Sequence, residues 1–223
     1  LYVANFFGDS IDVFTGADYS EKKRIPVCKV PRHLALSPDG TRMAYVGLKD
    51  GEPVLMVRRF DQDQTVALQG TEGASFPAFS PDGNWLVFGA KGKLRKTPST
   101  GGAVVNLADA PAFRGASWGD DGQIVAALSL ASPLVRIPAS GGAPQPLTSK
   151  GKAVSHRFPQ VLPGSKAITG RAGSSPCRSQ KSLRPPFGWT SAASGFPTYS
   201  TFPTPRRAYQ SFSNGSIVRS RST

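Results

Sequence analysis

The chain has 223 residues, 39% hydrophobic and 18% charged, an ordinary balance for a folded globular protein, and its 24 Gly and 20 Pro point to a turn-rich, all-β chain. No stretch approaches the ~18 uninterrupted apolar residues of a membrane helix, since the best candidate, Ile124 to Ile137, is broken by Ser129, Ser132, Pro133 and Arg136, and no charged-then-apolar leader opens the sequence. The net charge of +13 is uneven: residues 1–169 hold 19 Lys+Arg against all 14 acids, whereas residues 170–223 hold 8 and no acid, so the basicity belongs to the tail.

The chain opens at Leu1 in what reads as the middle of a strand, which predicts a cut N-terminus. Leu1–Phe6, Ser10–Phe14 and Lys23–Val27 then read as the second, third and fourth strands of a partial first blade, residues 1–32. From His33 a repeat takes over. His33–Gly47, Phe76–Gly89 and Arg114–Ala127 align with one another, and a weaker copy runs from His156 to Ile168. Their turn tetrads begin at Ser37, Ser80, Gly119 and Leu162, in steps of 43, 39 and 43 residues, and a Gly-Gly-Ala marker recurs at Gly101 and Gly141. A period near 40 with short strands is the spacing of a propeller blade.

The tetrad chemistry accounts for the repeat. Proline presets φ in a turn, aspartate bonds the nearby backbone, and glycine takes positive φ without steric cost. Ser37, Pro38, Asp39 and Gly40, then Ser80, Pro81, Asp82 and Gly83, then Asp120, Asp121 and Gly122 are therefore assigned as structural turn residues. The runs that follow, Arg42–Val46 and Trp85–Phe88, are nearly continuously apolar, as strands covered on both faces require. Pro53–Phe60 and Gln64–Leu68, Lys93–Thr97 and Ala103–Leu107, and Pro133–Ile137 and Ala143–Leu147 complete three blades, with boundaries near 33–75, 76–112 and 113–155 and a further blade starting at 156. The predicted fold is all-β: an incomplete β-propeller of about three to four four-stranded antiparallel blades, followed by a disordered basic tail.

That tail, residues 169–223, holds twelve Ser and six Pro after residue 169 and carries no repeat marker. Two origins stay open, a reading-frame shift after Ile168 and a natural disordered segment. Phe187, Trp189, Phe196, Tyr199, Phe202, Tyr209 and Phe212 lie among its basic residues, a mixture that can bind single-stranded nucleic acid, but the charges are sparse and follow no known motif.

No residue is assigned a catalytic, cofactor or metal role, and no cofactor is expected. The repeated acids sit inside the turn signature, and turn stabilisation accounts for them. His33 and His156 are taken as equivalent positions before a blade's first strand, with a structural hydrogen bond or a pH-sensitive ligand site as the two readings. Ser174 and Ser175 lack a Gly-x-Ser-x-Gly elbow. Lys91, Lys93, Arg95 and Lys96 alternate on one segment and read as a solvated edge strand or an anion-binding patch. Cys28 and Cys177 show neither disulfide-framework nor zinc spacing and read as free thiols.

The Ser-Pro-Asp-Gly turn with its following strand resembles the WD-like propeller repeats of Tol-type periplasmic proteins. From Leu34 to Ile168 the ordered string Gly70–Ala74, Phe79–Trp85, Gly92–Lys96, Arg114–Gly119 and His156–Gly164 resembles the propeller of bacterial, acidobacterial-type, serine/threonine protein kinases. That resemblance covers about 60% of the chain. It implies a cytoplasmic kinase, one membrane helix and an extracytoplasmic propeller that senses or binds proteins. No Gly-x-Gly-x-x-Gly, His-Arg-Asp or Asp-Phe-Gly motif occurs here, so this chain would be the non-catalytic part. The expected function is a binding or sensing module for an unidentified protein or small ligand. The alternatives are the propeller of a serine peptidase-type hydrolase without its catalytic half, and a basic-tailed nucleic-acid-binding protein. Open blade edges are expected to pair with another chain.

Overall fold

The computed structural model describes residues 1–173, apart from 6, 28, 63, 131, 150–154 and 166, together with residues 217–218. Every element among them is a strand or turn. The chain runs β1 (Tyr2–Asn5), β2 (Ser10–Thr15), β3 (Glu21–Pro26), β4 (Arg32–Leu36), β5 (Arg42–Lys49), β6 (Glu52–Arg59), β7 (Thr65–Ala67), β8 (Ser75–Phe79), β9 (Trp85–Ala90), β10 (Lys93–Pro98) and β11 (Val105–Asp109). It continues through β12 (Ala116–Trp118), β13 (Gln123–Ala126), β14 (Val135–Pro138), β15 (Gln145–Pro146), β16 (Ser155–Val161), β17 (Ile168–Gly173) and β18 (Ile217–Val218). Three four-stranded antiparallel meanders, β4–β7, β8–β11 and β12–β15, follow each other, and β16–β17 begin the next. In the first sheet, ordered β18-β1-β2-β3, the opening strands hold the second to fourth places and β18 holds the first, Tyr2 pairing with Val218 and Val3 with Ile217. The rest of the predicted disordered tail lies outside the described residues.

β17 runs five residues past Ile168, where the apolar pattern of the sequence ends. Thr169, Gly170 and Arg171 are exposed, and a ladder built from backbone groups needs no apolar face there.

The core lies between sheets. Side chains alternate along a strand, and β5 sends Met43 and Tyr45 towards the first sheet, where they join Ile11, Leu34, Val54 and Met56. Its intervening Ala44 and Val46 meet Leu55, Val57, Phe79, Leu86 and Phe88 on the other side. β9 repeats the division: Leu86 and Phe88 face back, while Val87 faces forward to Leu94, Ile124, Val135 and Ile137. β13 does so again, with Ile124 and Ala126 facing back and Val125 forward to Leu134, Val161 and Ile168. A strand that must satisfy two interfaces is apolar at every position, which is why these runs lack polar alternation. Burying each Leu, Ile or Phe of these layers contributes about 1.5–3 kcal/mol.

Candidate binding site at the inner-strand ends

β4, β8, β12 and β16 are the innermost strands of their sheets, and three of them begin with the same irregularity. Arg32 pairs with Val46 but Ala35 with Ala44, so His33 and Leu34 together oppose Tyr45. Phe76 and Pro77 oppose Phe88, and Phe158 and Pro159 oppose Gly170, in the same way. These are β-bulges, which bend a strand and re-aim a side chain. The first residue of each is left-handed: φ is 50° at His33, 48° at Phe76 and 51° at Phe158. Glycine would adopt that geometry freely, whereas an L-residue pays about 1–2 kcal/mol. In the fourth sheet the matching position is Gly115, at φ 101°. Pro77 and Pro159 sit inside the bulges of strands that have a single partner among the described residues, the positions in a sheet where proline is tolerated.

The bulges bring aromatic rings together. The His33 and Phe76 centroids lie 3.8 Å apart, tilted by 39°. Phe76 also contacts Phe158 at 5.4 Å and Phe113 at 6.1 Å. Gly115 leaves room for Phe158, since a Cβ there would stand 3.3 Å from the Phe158 Cα. Phe113 occupies a hollow above Gly89, where a Cβ would fall 2.2 Å from its ring. The Phe158 N–H donates to the Arg114 carbonyl at 2.8 Å, tying this bulge to the start of the neighbouring sheet. Arg32, Ser75 and Arg157 immediately precede the three bulges, and Arg114 precedes the matching Gly115. Burial, then the positive charges of Arg32 and Arg114, holds the His33 pKa down at about 4, so its imidazole is neutral at pH 7. His33 Nδ1 is buried without a hydrogen-bond partner among the described residues.

The turn residues sit at the other end of the same strands. Ser37 Oγ donates to Asp39 Oδ1 and accepts from the Arg42 N–H at 2.9 Å, while the Thr41 N–H and hydroxyl donate to the Asp39 carboxylate at 3.1 and 2.8 Å. Ser80, Asp82, Asn84 and Trp85 reproduce this network. Gly40, Gly83 and Gly122 take φ of 70°, 70° and 71°. The Ser37 hydroxyl, then the Thr41 donors, hold the Asp39 carboxyl at about 2, and Ser80 and Asn84 lower Asp82 likewise. In the third repeat, Asp121 Oδ1 accepts from the Gln123 N–H at 3.1 Å and Asp120 Oδ2 from the Gly164 N–H of the next sheet at 2.8 Å. Gly119 stands in the serine's place there, and a Cβ on it would lie 2.6 Å from Asp121 Oδ1. Arg42 bridges to Ser99 Oγ at 2.8 Å and borders a cleft of about 370 Å³ with Thr41, Arg59, Gln62, Gln64 and Thr100.

Other residues singled out in the sequence do not converge. Counted from the turns, His33 aligns with Phe158 and not with His156, which lies two residues earlier; its Nδ1 is 3.1 Å from Thr148 Oγ1, which accepts the Leu134 N–H. The lysine-rich strand is no edge: β10 is paired on both sides, by β9 and β11. Lys91 faces Glu72, Lys93 pairs with Asp109, and Lys96 donates to the Ala139 carbonyl while lying 4.8 Å from the Trp85 ring centre. Ser174, Ser175, Cys28, Cys177 and the tail aromatics lie outside the described residues. Among the described residues no three His, Cys, Asp or Glu are grouped to hold a metal, and no helix is long and apolar enough to cross a membrane.

Phe76, Phe113 and Phe158 are the members of the aromatic group that the motif reading passes over. The available signal is position: four residues before each tetrad stand His33, Phe76, Gly115 and Phe158.

No protein-family profile and no curated protein matches the chain. Solved structures do. TolB from Acinetobacter baumannii matches with a TM-score of 0.63 at 18% identity, over 76% of this chain and 45% of that one. Virginiamycin B lyase from Staphylococcus aureus matches with a TM-score of 0.56 at 10% identity, over 76% and 65%. A nidogen/laminin complex matches with a TM-score of 0.55 at 14% identity, over 73% and 64%. The chain thus spans about half the length of the TolB structure. At such identities the likeness is one of fold, and the chain is a β-propeller repeat region.

Proposed function

We propose that the chain is a non-catalytic propeller module that binds a protein or small ligand at its inner-strand end, as the extracytoplasmic sensory part of a bacterial serine/threonine protein kinase. The observation that carries the binding reading is the aromatic group made by three strained bulges. Strain repeated at one register position has a cost that packing alone gives no reason to bear, and such strain gathers where a surface must be presented. The arginines beside it add polar groups to an apolar surface, a combination suited to recognition. The nidogen/laminin complex, a propeller seen with a protein partner, supports a binding role in kind. The kinase connection is supported by the ordered motifs between Leu34 and Ile168.

Sequencing the coding DNA on both sides tests the parentage. Kinase motifs and a membrane helix are expected upstream, with blade-like strands resuming in another frame after Ile168 if the tail is a frame-shift product. A nucleophile elbow downstream, with no kinase upstream, would overturn the kinase reading in favour of the hydrolase one.

A further inference from the structure

We propose that the inner-strand end takes a carboxylate attached to an apolar or aromatic group, with the carboxylate on Arg32 and Arg114 beside His33 and the apolar part against Phe76 and Phe158. This rests on the reading of that end as the binding face. The repeat itself places the cations: five residues before the tetrads stand Arg32, Ser75, Arg114 and Arg157, so three sheets present a guanidinium at one register position. Arg114 gives one N–H to the Phe113 carbonyl at 2.9 Å and has no carboxylate partner among the described residues, leaving further donors of its planar fork. Arg32 and Arg114 both impose positive potential on His33, whose ring stays neutral and whose buried Nδ1 has no partner among the described residues.

A planar, singly charged carboxylate suits such guanidinium groups, which can bind it through two parallel hydrogen bonds. Phosphate carries more charge into half-buried aromatic surroundings and costs more to desolvate there. The anion's apolar substituent covers the half-buried Phe76 and Phe158 rings, which lie in contact with each other at the bulges. Such a carboxylate comes from a free aromatic acid or from the C-terminus of a peptide ending in an apolar residue.

Calorimetric titration of the full chain tests this with benzoate, a tripeptide ending in phenylalanine, its C-terminal amide, and inorganic phosphate. Benzoate and the free-acid peptide are expected to bind, with the amide and phosphate at least tenfold weaker. A peptide at least tenfold tighter than benzoate assigns the anion to a chain terminus, and equal binding assigns it to a small acid. Arg114→Gln and Arg32→Gln should each weaken the acids at least tenfold with the melting temperature held; two separate variants guard against one failing to fold. Equal binding of acid and amide, equal binding of phosphate, or no effect of either arginine variant overturns the carboxylate assignment. So does the absence of binding by every probe at millimolar concentration. If acid and amide bind equally and Phe158→Ala abolishes both, the binding face stands and only its anion specificity falls.

Discussion

His33 combines the two costs that mark the inner-strand end: a left-handed backbone and a buried, neutral imidazole. Its pKa of about 4 lies below the ~6.5 of the unfolded chain. Between those values the unfolded state binds the proton and the folded state does not, so the contribution of His33 is complete above pH 6.5 and is lost as pH falls towards 4. Urea unfolding at pH 7 and pH 4 should show a loss on the order of 3 kcal/mol from this group. His33→Asn, which keeps a residue tolerant of positive φ, should remove that part of the pH dependence. Asp39 behaves differently. Its carboxyl, held at about 2 by Ser37 and Thr41, adds stability above the usual carboxylate range that disappears only as pH falls through about 2. Asp39→Asn should flatten the profile below pH 4 and leave the His33 window unchanged; a change between pH 6.5 and 4 would contradict the assignment.

Turns and bulges differ in how openly the sequence declares them. A tetrad such as Ser80-Pro81-Asp82-Gly83 is local: each residue acts within five positions, so its chemistry is legible before any fold is known. The bulges arise from pairing. Neither Phe76 nor Phe158 has an intrinsic preference for positive φ, and the condition that imposes it is the two-against-one register with the next strand. The same limit explains the pairing of His33 with His156, which matched residue type where distance from the turn decides. It also explains β10, whose alternating cations resemble an edge although β11 covers it. Gly89 is a third case, a glycine whose meaning lies in Phe113 of the following repeat. Gly89→Ala is expected to cost about 1–3 kcal/mol through overpacking and to displace that ring. Thermal denaturation with near-ultraviolet circular dichroism checks both effects, and an unchanged melting temperature would show that the hollow can relax.

For the molecule as a whole, strand pairing ends unevenly. Among the described residues β17 has one partner and no third strand beside it, leaving an open ladder of backbone donors and acceptors. Such an edge recruits strands from other chains, so the isolated chain should self-associate. Size-exclusion chromatography with light scattering at micromolar concentration should find oligomers, and a clean monomer would count against the free edge. Hydrogen exchange should grade along the chain for the same reason: amides of β16 and β17 open first, and those of β5 and β9, each between two packed neighbours, open last.

Each packed layer is shared by two adjacent sheets, and no sheet owns one outright. The backward and forward faces of β5, β9 and β13 therefore travel together in a single repeat of about 40 codons. Duplicating one repeat supplies a face for the unit before it and a face for the unit after it, so no compensating change is needed elsewhere in the gene. Lengthening or shortening by whole repeats is then the least disruptive route by which such a chain can change size over evolutionary time, and insertions of other lengths should be confined to its loops.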